Sequence, residues 1–143
     1  KPLISNTQIS PIYKYNKDKN LWNLTTNKLS AGHIIKLLYI SERYFELTEY
    51  VTSLDLSKDS LGDNELLIYS DALYRLGNYD KAIIHLNQLS NNYPNDEKYF
   101  ILALCNKKLG NIDNMTMLLD ELITNYPNSE YIKLAKLQTR ELK

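Results

Sequence analysis

The sequence is sparing with the residues that staple, kink or react. In 143 residues it has one cysteine, four glycines and four prolines. A single thiol, Cys105, can close no internal disulfide and builds no cysteine zinc cluster. An excess of charge of either sign is also missing, since 17 Lys and Arg face 17 Asp and Glu. A neutral chain lacks the field that draws a protein onto nucleic acid or anionic lipid, so nucleic acid is not an expected partner. Long apolar runs are absent too. The longest, residues 99–105, has seven residues, against the ~20 that a membrane-spanning helix needs. No membrane span is expected. The hydrophobic share of 43% still describes a globular chain rather than a disordered one. The chain opens at Lys1 without an initiator Met or an apolar secretion segment, so it reads as a trimmed or processed product. A signal or lipid anchor in the full-length protein would precede it.

Motifs that carry chemistry are missing as well. There is no Gly-x-Gly-x-x-Gly, no phosphate-loop glycine-lysine and no His-Glu-x-x-His. His33 and His85 fall in different predicted helices, with no acidic or cysteine partner at ligand spacing. Asp55–Asp59 superficially looks like a calcium loop, but the sixth position is Ser60 and the twelfth is Leu66, where Gly and Glu are required. The segment reads as a polar linker. Cys105 sits inside an apolar run, the setting of a packed thiol rather than a nucleophile. The carboxylates are spread over helix faces and show no convergent pair. The chain is therefore not read as an enzyme, and neither a metal nor a cofactor is expected.

What is there is a repeat. Leu76-Gly77-Asn78-Tyr79-Asp80 aligns with Leu109-Gly110-Asn111-Ile112-Asp113, and each leads through an amphipathic stretch to Asn-Tyr-Pro-Asn. Gly77 to Gly110 and Pro94 to Pro127 are both separated by 33 residues. Two independent landmarks with one period mark a solenoid unit. Glycine after a helical run can take the left-handed conformation that closes a helix, and the following Asn-x-Asp is expected to cap the next one. Proline cannot continue a helix and holds its predecessor extended, so Pro94 and Pro127 are expected to end each second helix. Apolar residues recur at helical spacing between the stops: Ala82, Leu86, Leu89, then Met115, Leu119, Leu122.

At these residues the chain resembles the tetratricopeptide repeat family. The expected fold is all-α, a short α-solenoid of about three helical hairpins and a C-terminal capping helix. The units run 63–95 and 96–128, with an earlier one at 28–62 and the cap at 129–143. Together they make one domain, 28–143, behind an extended N-terminal arm, 1–27. In the first unit Ser30 should cap a helix through Ile40, with Leu47, Val51 and Leu54 in the next helix. Its turn, Ser41-Glu42-Arg43-Tyr44, has no glycine. The string Tyr126-Pro127-Asn128-Ser129-Glu130-Tyr131 is similar to repeat modules of bacterial cell-envelope proteins, of the outer-membrane assembly lipoprotein and Tol-Pal-associated types. That resemblance implies a periplasmic or envelope location, with a cytoplasmic one as the alternative.

The resemblance also implies a function, which is binding another protein without catalysis. Family ligands lie along the first helices. The corresponding positions here are Leu67, Ile68 and Tyr74, then Phe100, Ile101 and Leu104, then Leu134 and Leu137. Residues 99–105 are apolar all round, which leaves Phe100, Ile101 and Leu104 on the side away from the repeat core, for a partner's apolar helix or extended segment. Two other coverings stay open. The arm carries Ile9, Ile12, Tyr13, Leu21 and Trp22, which could fill the groove. Alternatively, the patch seals a homodimer that acts as a spacer.

Overall fold

The computed structural model describes residues 13–16, 21–24, 30–54, 61–90 and 95–141. Among them are seven helices: α1 (Ala31–Ile40), α2 (Tyr44–Ser53), α3 (Asp63–Arg75), α4 (Tyr79–Leu86), α5 (Asp96–Lys108), α6 (Ile112–Asn125) and α7 (Ile132–Arg140). They pack as hairpins in chain order, α1 with α2, α3 with α4 and α5 with α6, and α7 closes on α6. Each second helix also packs on the next first helix, while α1 touches α3 and α3 touches α5. The result is a short all-helical solenoid. Upstream, strands β1 (Tyr13–Asn16) and β2 (Leu21–Leu24) pair antiparallel, with Tyr13 opposite Leu24 and Asn16 opposite Leu21. Scattered aromatics without a period gave no sign of this ladder. Ile9 and Ile12, two of the arm residues named for groove filling, lie outside the described residues.

The three hairpin turns share one construction. Gly77 and Gly110 have φ of +86° and +84°, as their position after a helical run predicts. Each turn closes with two backbone hydrogen bonds: Asn78 N donates to Leu73 O at 2.8 Å and Gly77 N to Tyr74 O at 3.0 Å. Asn111 and Gly110 repeat the pair onto Asn106 O and Lys107 O. This 6→1 and 5→2 pattern satisfies carbonyls that a helix end would otherwise leave orphaned. The first turn does the same without glycine. There Glu42 stands at φ +58°, its N–H on Tyr39 O and the Arg43 N–H on Leu38 O.

Helix ends depart from expectation in instructive ways. Ser30 caps α1, its Oγ accepting from His33 N at 3.2 Å. Asn78 and Asn111 do not cap with their side chains. Their backbone N–H groups are engaged in closing the turn behind them, and Asp80 and Asp113 support the first helical turn through its dipole instead. Helix α4 stops at Leu86, earlier than its amphipathic pattern implies, and tightens through i→i+3 bonds at Gln88 and Leu89. Asp63 explains the early exit, because its carboxylate accepts from both Ser90 N at 3.1 Å and Ser90 Oγ at 2.6 Å. Helix α6 ends at Asn125 with Tyr126 at φ −130°, ψ 62°, out of helical conformation before Pro127. Pro94 and the linker 55–60 lie outside the described residues.

The core forms two clusters. One joins Ile35, Leu47, Val51, Leu73, Leu86 and Cys105 with their neighbours on α1 to α5. The other gathers Phe100, Met115, Leu119, Leu122 and Ala135 across α5, α6 and α7. Leu118 packs against both. Met115 is fully buried where the preceding unit has a fully buried Ala82, so two side chains of very different volume serve one repeat position. The two buried polar residues among the described ones, Ser70 and Asn106, bond within their own helices. Ser70 Oγ donates to Leu66 O at 2.7 Å and Asn106 Nδ2 to Leu102 O at 2.8 Å.

Candidate interaction surface

The first helices α1, α3, α5 and α7 bring their exposed sides together along one face, and polar cross-links tie them in register. Tyr39 OH on α1 donates to Asp71 Oδ2 on α3 at 2.5 Å. Arg75, one turn on, donates to the same oxygen at 2.9 Å and lays its guanidinium 5.2 Å from the Tyr44 ring centre. Beside α7, Tyr131 OH donates to Glu97 Oε1 of α5 at 2.9 Å, while Lys107 Nζ donates to Gln138 Oε1 at 2.6 Å and lies 3.5 Å from Glu141. Ser129 Oγ donates to Asp96 Oδ2 at 2.7 Å, joining the starts of two successive repeats. Partners lie 31 to 34 residues apart, about one repeat.

Burial sets the electrostatics of this face. Glu97 is held above the ordinary glutamate range by desolvation, against the Tyr131 hydrogen bond, with Asp71, Asp96 and Glu130 raising it further. Tyr39 and Tyr131 are pushed above the usual phenol range by burial and then by the carboxylates they donate to. Both stay neutral donors. Burial, with a smaller push from Asp71, raises the Cys105 thiol to about 12, so at neutral pH it is a packed SH group rather than a thiolate.

The structure divides the residues expected to bind. Leu67, Phe100 and Ile101 are core residues, at 6%, 9% and 6% exposure, and the expectation that they face a partner is corrected. The reason lies in the neighbours of α5. This helix has α3 and α4 on one side and α6 on the other, so its apolar circumference is used by the chain itself. Phe100 stacks on Tyr131 with ring centres 5.2 Å apart, and Ile101 joins the first cluster with Leu67. Ile68, Tyr74 and Leu104 are half-buried, and Leu134 and Leu137 are exposed at 46% and 43%. Three half-covered side chains and two open leucines therefore remain of the expected set.

The residues that frame this face were not among those expected: Tyr39, Glu97, Tyr131 and Gln138. The signal that could have found them is the repeat period, since a phenol one repeat away from a carboxylate lands beside it on the neighbouring first helix. Tyrosine and arginine are the residues that most often anchor protein interfaces, and Tyr44, Tyr74, Arg75 and Tyr79 gather at the turn end, with Tyr74 and Tyr79 ring centres 5.6 Å apart.

The family model for the tetratricopeptide repeat matches residues 66–96 and 99–129. The two windows start 33 residues apart and cover the α3–α4 and α5–α6 hairpins. No curated protein and no solved structure matches the chain.

Proposed function

We propose that this helical array, two of whose hairpins match the tetratricopeptide repeat, receives a protein segment along its first-helix face. Repeats of this kind generally mediate protein–protein interaction. The observation that carries the reading here is the exposed pair Leu134 and Leu137, on the helix whose Gln138, with Tyr131 just before it, is tied to α5 of the first-helix face. Helix α7 otherwise presents Lys133, Lys136 and Arg140 to solvent, as the end of a solenoid should, so two open leucines there are not what capping requires. Covering their exposed halves contributes roughly 2 kcal/mol, which tyrosine and arginine contacts at the other end of the face must supplement.

The ligand is an apolar helix or extended segment. The family's clamp for a C-terminal carboxylate uses Lys and Asn at fixed inward positions, and the matching positions here hold Leu67, Asp71, Phe100 and Leu104. The similarity of 126–131 to envelope repeat modules supports a partner in a cell-envelope complex, which fractionation of the native cell tests. The rival reading is a homodimer sealed by the same leucines, and light scattering separates the two. The direct test is the double variant Leu134→Asp/Leu137→Asp. It should abolish partner capture with the helical circular-dichroism signal unchanged. Undiminished capture by a folded double variant would refute the assignment of this face.

A further inference from the structure

A concavity lies where the first hairpin meets the second. It is a cleft of about 480 Å³ between the end of α2 and one side of α4. Its floor is built: Val51 and Tyr69 are 4% and 3% exposed, and half-buried Leu54, Leu61 and Leu66 form the walls. Over this apolar interior stand Lys81 and His85, four residues apart on one side of α4, and Gln88 in the tightened turn just beyond its end. The Tyr69 ring rests 4.9 Å from the His85 ring, and His85 Nδ1 lies 3.4 Å from Gln88 Oε1.

The trio is chemically one-sided. No carboxylate occurs among the described residues that line the cleft, and Lys81 is exposed with no ion pair among the described residues. An ammonium, an imidazole and an amide can all donate toward one acceptor group. The repeat supplies an internal comparison, because 33 residues on the same positions hold Asn114, Leu118 and Glu121. Leu118 there packs against both core clusters. The hairpin architecture therefore needs neither a cation nor an imidazole at this place. One repeat on, it tolerates a carboxylate.

We infer that this cleft binds a small aliphatic carboxylate, with its chain against Val51, Leu66 and Tyr69 and its head group received by Lys81 and His85. Its volume and its apolar lining with a few convergent polar groups are those of small-molecule sites. A charge-assisted bond from Lys81 gives the head group selectivity over an uncharged analogue. The site stands independently of the first-helix face, so either assignment can fail without the other.

The test titrates the whole chain with decanoate below its micellar concentration, following amide chemical shifts and heat. Decanoate should bind saturably at one site, shifting Val51, Leu66, Lys81 and His85. Decanol should bind at least tenfold more weakly. Lys81→Met, an exposed substitution, should bring decanoate down to the decanol level and leave decanol unchanged. His85→Leu, which copies the next hairpin, should narrow the gap between decanoate and decanol, with thermal unfolding reporting its fold. Equal affinity for decanol and decanoate would overturn the head-group assignment, and no saturable binding, or shifts confined elsewhere, would overturn the site. A leucine-terminated tetrapeptide acid binding more tightly than decanoate would overturn the small-molecule assignment.

Discussion

Glu42 holds the backbone conformation that glycine supplies at the other two turns, and replacing it isolates the cost. Its φ of +58° is left-handed, where an ordinary side chain costs roughly 1–2 kcal/mol. Glutamate there is exposed, so little contact energy is lost on its removal. Against the relief stands the extra freedom of glycine in the unfolded chain, about 0.4–1 kcal/mol. Glu42→Gly should therefore stabilise the protein by on the order of 0.5–1 kcal/mol. The reverse experiment is Gly77→Ala or Gly110→Ala. A Cβ at either glycine meets nothing within 4 Å, so the whole penalty is backbone strain of about 1 kcal/mol or more. Urea unfolding reads both, as a midpoint shift at constant slope, upward for Glu42→Gly and downward for the alanines. Asparagine at 77 or 110 should cost less than valine, since its short polar side chain tolerates this region. A destabilised Glu42→Gly, or a neutral Gly77→Ala, would refute the claim that the three turns are one motif.

Met115→Ala should cost about 2–4 kcal/mol by opening a cavity in the second cluster, although alanine is the native residue at the equivalent Ala82; Ala82→Met should cost about 1–3 kcal/mol by overpacking, and chemical denaturation measures both. Glu97 binds its proton more tightly folded than unfolded, so its contribution is present at low pH and lost as pH rises through its raised folded pKa. Wild type should thus gain stability on Glu97→Gln as pH falls through and just above the ordinary glutamate range, which thermal melts across pH 4–7 would show; a pH-independent difference would contradict it. Tyr131→Phe strips a half-buried carboxylate of its donor and should loosen α7 by about 1–2 kcal/mol, visible as faster amide exchange confined to that helix. Cys105 should resist thiol reagents in the native protein and react on unfolding.

How far the sequence could be read depended on whether a feature demanded a particular residue. Left-handed turns select glycine, so Gly77 and Gly110 announced two hairpins and their period. Glu42 makes the same turn and announced nothing. Ser30 named the start of α1 because a cap needs a side-chain acceptor, whereas Asn78 and Asn111 sat in cap positions and did backbone work instead. The apolar run 99–105 was legible as a helix with no polar side. What covers that side is a tertiary fact, and α3, α4 and α6 cover most of it. Hence Phe100 and Ile101 moved from the expected site into the core, while Leu134 and Leu137, on a helix with fewer neighbours, stayed open. The Tyr39–Asp71 and Glu97–Tyr131 pairs lie about one repeat apart and were within reach of the 33-residue period, applied to polar residues as well as apolar ones.

The claim that matters most is that partners meet the first-helix face at α7. A photoreactive benzophenone side chain placed at position 137, and separately at the outward-facing position 117, tests it in the native cell. Met117 is 55% exposed and Leu137 43%, so both probes reach solvent and the control is the more open of the two. Position 137 should give a discrete adduct with another protein, and position 117 none. Equal adducts from both positions, an adduct from 117 alone, or only a dimer of the chain itself from 137, would contradict it.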